Sequence, residues 1–289
     1  MILDGESLAK KVYLDVKKRV AELEEKGVRP GLCAIRVGSD PASQLYVGKK
    51  IRACENCGIK SKAVILDETA EESELISAIQ KENEDPSTHG ILIQLPLPSS
   101  IDTQIVIEAI SPKKDVDGFH PFNVGRVATG VGGFPPCTPK GILRLLDEYG
   151  LDVRGKEVVI VGASRIAGRP TAELFLSRMA TITVCHIETK DLAFHTRRAE
   201  ILVVAVGRPG LITKEMISQG VVIVDVGVNR IIDSNNPRGF RVVGDVAPSC
   251  RERAYAWTPV PGGVGPMTVA MLLENTVIAA EASLTGITV

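Results

Sequence analysis

Apolar residues at Leu8, Val12, Val16, Val20 and Leu23 recur at helical spacing between Glu6 and Lys26, and Gly27 and Pro30 stop the pattern. The spacing predicts an amphipathic helix over 6–26. Short apolar runs then alternate with helical stripes, predicting strands at 32–37, 61–66 and 90–95 and helices at 41–56, 71–84 and 103–110. Three βα units in succession imply a parallel sheet with right-handed crossovers. Between Ser111 and Pro139 the pattern lapses into Pro, Gly and isolated polar residues. That stretch is too long for a routine connection and reads as a functional loop that also carries the chain between domains. A helix over 139–149 follows, then strands at 157–161, 181–185, 201–206 and 221–225. A last helix, from Pro266 to about Ser283, is expected to pack back on the first domain. Asn235-Asn-Pro-Arg-Gly239 predicts a hairpin tip at an edge of the second domain.

The expected fold is therefore α/β in two domains joined by long helices, with a cleft between them. The first is a three-layer α/β domain over 1–120, completed by the C-terminal helix over 266–289. The second is Rossmann-like and spans 138–265. Composition changes this picture little: 289 residues, 44% hydrophobic and 24% charged, suit two ordinary globular domains. The formal net charge of −1, with signs interspersed, leaves no basic field for nucleic acid or an anionic membrane. The N-terminus carries acid where a signal peptide carries base, and no uninterrupted apolar run approaches membrane-spanning length. Six scattered cysteines fit a reducing compartment, so a cytoplasmic protein is expected. Cys54 and Cys57 match a metal or redox pair in spacing, but they lie in a helix without a second pair and read as ordinary helix thiols.

Candidate chemistry concentrates in Gly-rich loops. Thr258-Pro-Val-Pro261-Gly262-Gly-Val-Gly-Pro-Met-Thr268 prescribes one backbone path and opens onto an apolar helix, as a ligand loop would. Val158-Val-Ile-Val-Gly162-Ala163-Ser164-Arg-Ile-Ala-Gly168 reads as a buried strand, a Gly turn and a helix start, the order that puts phosphate on free helix N–H groups. Its glycine spacing differs from GxGxxG, and a tight βα turn could produce the same string. The strands that follow also end in Gly turns, Gly207-Arg-Pro-Gly210 and Val226-Gly-Val228-Asn229, where an open α/β sheet binds its ligand. In the first domain, Tyr46 and Lys50 stand four apart and share a helix face. Spacing alone equally describes a helix anchor beside a solvated lysine. Gln94 at a strand end, and Asp117, able to accept two hydrogen bonds from a heterocycle, converge with them.

These motifs resemble the bifunctional methylenetetrahydrofolate dehydrogenase/methenyltetrahydrofolate cyclohydrolase family. The resemblance is carried by Asp40-Pro-Ala-Ser-Gln-Leu-Tyr46 through Lys50, Ile93-Gln-Leu-Pro-Leu-Pro98, Lys114-Asp-Val-Asp-Gly118, Cys137-Thr-Pro-Lys-Gly141, Gly162-Ala-Ser164 and Pro259–Thr268, in order over almost the whole chain. It implies oxidation of methylenetetrahydrofolate by NADP and hydrolysis of the methenyl product to formyltetrahydrofolate, with a homodimer as the assembly. It implies Lys50 as the catalytic amine, Gln94 as its hydrogen-bonding partner, Tyr46 as the stacking wall and Asp117 as the pterin anchor. Pro261 and Gly262 are then on the substrate side, and Gly162, Ala163, Ser164, Ile187 and Val228 on the coenzyme side. For Lys50 to handle protons near neutral pH its pKa must fall, which partial burial and a cationic methenyl group would favour. No metal is required, and His89, His120, His186 and His195 lack ligand spacing.

One position departs from the family. Where many members end the second Rossmann strand in His-Ser or His-Arg, this chain reads His186-Ile187-Glu188, which removes a partner for the 2′-phosphate of NADP and adds an acid. Arg165, Arg197 or Arg198 could meet the phosphate instead. NAD thus stays open as coenzyme. The alternatives are an NAD-preferring dehydrogenase with weak cyclohydrolase activity, and a non-catalytic nucleotide-binding regulator on the same scaffold.

Overall fold

The computed structural model describes residues 1–237 and 239–286. In chain order its elements are α1 (Gly5–Glu25), β1 (Gly31–Val37), α2 (Pro41–Asn56), β2 (Lys60–Leu66), α3 (Glu72–Glu84), β3 (Gly90–Ile93), α4 (Thr103–Glu108), α5 (Pro121–Thr129), α6 (Cys137–Glu148), β4 (Glu157–Val161), α7 (Gly168–Ser177), β5 (Thr181–Cys185), α8 (Leu192–Thr196), β6 (Ile201–Val204), β7 (Val222–Asp225), β8 (Asn229–Ile232), β9 (Phe240–Val243), β10 (Ala256–Trp257) and α9 (Val264–Thr285). The chain divides into two units. One joins Met1–Ala9 to Thr138–Thr268, and the other joins Lys10–Cys137 to the continuation of α9 from Val269.

The unit built on Lys10–Cys137 holds a parallel sheet of order β2-β1-β3. β1 is buried along its whole length, which is why Gly31–Val37 reads as a continuous apolar run rather than an alternating one. Cys33, Ile35 and Val37 pack on one face of the sheet with Leu75 and Ile79 of α3 and Val106 of α4. α9 closes the unit through polar as well as apolar contacts. Asn275 Nδ2 donates to the Val116 carbonyl at 2.8 Å, and Arg19 of α1 grips Glu281 with two bonds of 2.9 and 2.7 Å. By length and composition alone α9 could cross a membrane. Its residues Met271, Leu272, Leu273, Asn275, Thr276 and Val277 are buried in the fold, as befits a core helix.

The other unit carries a five-stranded parallel sheet of order β10-β7-β6-β4-β5 and an antiparallel hairpin, β8–β9. Val159, Val161, Leu202, Val204 and Ile223 form its centre together with Ile212 and Ile217. This is the doubly wound arrangement that the Gly-terminated apolar strands imply. The hairpin expected around Asn235–Gly239 forms, although Arg238 at its tip lies outside the described residues, as does the end of the expected C-terminal helix, 287–289.

The stretch from Ser111 to Pro139, read from sequence as a loop, contains a helix, α5. Pro121 begins it at a position where proline is favoured, and His120 caps it by accepting from Phe122 N–H at 3.0 Å through Nδ1. The apolar periodicity is missing because α5 buries Asn123 and leaves Phe122 and Val124 exposed. Its hold on the fold is polar, which a hydrophobic pattern cannot register.

Candidate active site

On the side of the Lys10–Cys137 unit, α2 starts where Asp40 accepts from Ser43 N–H at 2.7 Å and Pro41 fixes the first helical residue. Tyr46 and Lys50 then fall one turn apart. Gln94 directly follows β3, and its N–H bonds the Ile35 carbonyl at 2.9 Å, continuing the sheet ladder by one residue. Its side-chain amide donates to the Leu95 carbonyl at 2.8 Å, which turns the amide oxygen toward Lys50. Lys50 Nζ donates to Gln94 Oε1 at 3.2 Å. Tyr46 is 40% exposed, leaving area for a planar ligand, and the Lys49 ammonium sits 5.9 Å from its ring centroid.

The two aspartates of Lys114-Asp-Val-Asp-Gly118 have different environments. Asp115 is buried and accepts from the N–H groups of Gly118, Phe119 and His120 at 3.2, 3.2 and 2.9 Å and from Asn123 Nδ2 at 2.9 Å. It shapes the loop and anchors α5. Asp117 is half-buried beside Cys137, whose thiol donates to the Val116 carbonyl at 3.3 Å. Burial pushes its pKa up; the positive charge of Lys50 pulls it down and Asp115 pushes it up. Gly118 follows with φ +77°, and a Cβ there would meet the Phe134 carbonyl oxygen at 2.6 Å, so only glycine suits the turn that presents Asp117. Lys50, Gln94 and Asp117 thus belong to one electrostatic neighbourhood, with Tyr46 on the same helix as Lys50. The sequence reading missed Asp115. Its only signal is the alternation Asp-Val-Asp, which does not say which acid shapes the loop and which one faces a ligand.

In the other unit, β4 delivers the chain to Gly162-Ala163-Ser164. Ser164 Oγ accepts from Ala167 N–H at 3.2 Å and Gly168 N–H at 3.4 Å, winding the turn into the start of α7. A Cβ at Gly168 would overlap the Gly162 carbonyl oxygen, so turn and helix meet backbone to backbone. Ser164, Arg165 and Ile166 are exposed beside them. The first N–H groups of α7 are thus engaged within the turn, with Arg169 N–H on the Ser164 carbonyl at 3.1 Å, so the free helix N–H groups expected from sequence are not left open. What the turn offers a dinucleotide at the C-terminal edge of the parallel sheet is close backbone approach and the exposed Ser164–Ile166 segment. Ile187 follows β5 and is 88% exposed next to the exposed Glu188, and Val228 is exposed after β7. Two of the arginines considered for a 2′-phosphate are engaged around α8. Arg197 Nε donates to the Glu215 carbonyl at 2.9 Å, and Arg198 lies 5.9 Å from the Phe194 ring centroid. Arg165 stands on the turn itself. Pro261 and Gly262 lie on the loop before α9, where the Gly262 carbonyl accepts from Glu6 N–H at 3.0 Å.

The thiols of Cys54 and Cys57 are buried against α1, with Cys54 pushed up to about 12 by burial. Two further acids went unnoticed in the sequence: Asp225, buried and with its pKa pushed up to about 6 by burial, and Asp245, fully buried.

Comparison with known proteins matches residues 3–117 to the catalytic domain of tetrahydrofolate dehydrogenase/cyclohydrolase and residues 136–284 to its NAD(P)-binding domain. The bifunctional protein FolD of Nautilia profundicola is 51% identical over 281 residues, covering 97% of each chain. The crystal structure of the FolD methylenetetrahydrofolate dehydrogenase/cyclohydrolase of Campylobacter jejuni superimposes with a TM-score of 0.94 at 47% identity, covering 98% of this chain and 99% of that one. The Trypanosoma brucei dehydrogenase-cyclohydrolase, complexed with NADP and an inhibitor, gives a TM-score of 0.94 at 39% identity and 98% coverage of both chains.

Proposed function

This chain belongs to the tetrahydrofolate dehydrogenase/cyclohydrolase family, and from that premise we propose how its own residues divide the two reactions. It is a bifunctional enzyme of one-carbon metabolism, which oxidises methylenetetrahydrofolate with NADP and hydrolyses the methenyl product to formyltetrahydrofolate. The observation that carries the assignment of roles is the Lys50–Gln94 hydrogen bond of 3.2 Å, with Asp117 within reach of the Lys50 charge.

Asp117 accepts hydrogen bonds from the pterin, and Tyr46 stacks on the folate. Pro261 and Gly262, on the loop before α9, are the substrate-side positions that this reading takes from the other unit. Held this way, the methylene carbon gives up a hydride pushed by the lone pair of its neighbouring nitrogen, so orientation supplies most of the first step. The coenzyme, when bound, takes up that hydride. Gly162, Ala163 and Ser164 hold its pyrophosphate, and Ile187 and Val228 border the rest.

In the second step water adds to the methenyl carbon. Lys50 takes one proton from that water, and the carbon–nitrogen bond to one bridging nitrogen opens as that nitrogen regains a proton. Once the amine is neutral, Gln94 Oε1 holds one of its N–H groups and so leaves the lone pair directed for this transfer. Arg165, on the exposed turn after β4, is taken as the partner for a 2′-phosphate, in keeping with NADP as coenzyme despite Ile187 and Glu188. Six buried, free thiols agree with a reducing, cytoplasmic setting. The homodimer reading draws on β5, an edge strand of its sheet with Val184 exposed.

The test supplies purified protein with methylenetetrahydrofolate and either coenzyme. Reduced nicotinamide is expected to accumulate with both and faster with NADP, followed by loss of the methenyl chromophore. No reduction of either coenzyme would leave the regulator reading standing.

A further inference from the structure

Two strand-end loops of the coenzyme unit converge on one buried carboxylate that lies on neither of them. Asp245 is fully buried. Its Oδ2 accepts from Val206 N–H at 2.7 Å and Gly207 N–H at 2.9 Å, the turn that leaves β6. Its Oδ1 accepts from Asn229 Nδ2 at 2.8 Å, at the end of the loop that carries Val228. Asp225, the last residue of β7, clasps the same segment from the other side. Its Oδ1 accepts from Gly227 and Asp245 N–H groups at 3.0 Å each, and its Oδ2 from Val246 N–H at 3.0 Å. A Cβ on Gly227 would overlap the Asp245 carboxyl group, and one on Gly244 would overlap that of Asp225, so the loops rest on the carboxyl groups with no side chain between.

We infer that Asp245 is a positioning residue for the dehydrogenase reaction: it locks the Val206–Gly207 turn to the Val228–Asn229 loop, so that the backbone lining the coenzyme site is set before the coenzyme arrives. The inference rests on the reading of these loops as coenzyme-binding. A core need alone would be met more cheaply by apolar groups, because burying a carboxylate costs several kcal/mol unless donors surround it. Here three donors from two loops surround Asp245, and both loops end strands at the edge where a parallel sheet binds ligands. Asp225 holds the segment that bears Asp245, and Asn229 is the half-buried partner through which the tie reaches the second loop.

The tie can be cut and remade. In Asp245→Asn the new amide keeps an oxygen for Val206 and Gly207 but sets its NH2 against the NH2 of Asn229. In Asn229→Asp two carboxylates face each other. Combining the two restores one donor and one acceptor across the gap. Each single variant is expected to raise the KM for NADP about tenfold, the loss of one hydrogen bond to a charged group. The combined variant is expected to return to within about threefold of wild type. The cyclohydrolase rate, measured on methenyltetrahydrofolate without coenzyme, stays at the wild-type value in all three and reports that the chain has folded. Unchanged KM for NADP in the single variants, or a combined variant no better than either, overturns the positioning role. If Asp245→Asn does not fold, Asn229→Ala still cuts the tie with both aspartates in place, and an unmoved KM for NADP there overturns it too. Absence of NADP reduction by the wild-type protein would instead overturn the coenzyme reading beneath it.

Discussion

Replacing Asp117 by alanine separates ligand binding from folding. In the free protein this carboxylate is half-buried and pushed up in pKa by burial. Two consequences follow, of opposite sign. For binding, a charged acceptor facing pterin donors is lost, worth about 1.5–3 kcal/mol, or roughly 10- to 150-fold in Kd for tetrahydrofolate. NADP affinity should be unchanged. For stability, a folded-state pKa above the ordinary carboxylate value means the native state holds its proton more tightly than the unfolded chain does. That contribution is fully present below the unfolded pKa and is lost as pH rises through the folded one, so at pH 8 the ionised carboxylate burdens the fold. Asp117→Ala should therefore match or exceed the wild-type Tm at pH 8, with the difference moving toward wild type as pH falls to 4. Calorimetric titration with folate and with NADP, alongside thermal melts at both pH values, reads both effects. Undiminished folate affinity together with weakened NADP binding would place Asp117 in the wrong half of the enzyme. A Tm deficit larger at pH 8 than at pH 4 would refute the electrostatic reasoning.

Ile187→Arg should strengthen NADP use about tenfold, about 1.4 kcal/mol, while leaving NAD use nearly unchanged. Steady-state kinetics with both coenzymes checks this, and equal effects on the two would mean that residue 187 does not face the 2′ position. Gly168→Ala should destabilise the protein by about 1–3 kcal/mol, because the added methyl overlaps the Gly162 carbonyl and the backbone must shift. Urea unfolding would show it as a lowered midpoint with weakened NADP binding, and an unshifted midpoint would mean that the turn is less tightly built.

The sheet-forming strands were legible because burial on both faces leaves continuous apolar runs, as in Gly31–Val37, and their parallel order follows from the alternation with helices. Tyr46 and Lys50 could be paired by helical spacing, and in the fold Lys50 donates to Gln94. What hydrophobic pattern could not reach is held by polar groups. α5 is capped by His120 and fastened through Asn123, the Asp117 loop is shaped by Asp115, and the two loops that leave β6 and β7 meet on Asp245. Acids of this kind look solvated in sequence, since nothing in one chain marks which carboxylate will be surrounded by backbone donors. The engagement of Arg197 and Arg198 around α8 was equally hidden, because spacing does not reveal the carbonyl or ring that a guanidinium selects.

The central claim, that Lys50 moves the protons of the hydrolytic step, is tested most directly by the rate at which Lys50→Met hydrolyses methenyltetrahydrofolate in the absence of coenzyme. Methionine keeps an unbranched stem and removes the amine, so the fold should persist while about 10²- to 10⁴-fold of rate is lost, the usual contribution of a positioned acid–base group. A variant that folds, binds folate and still hydrolyses the methenyl compound at the wild-type rate would contradict the account.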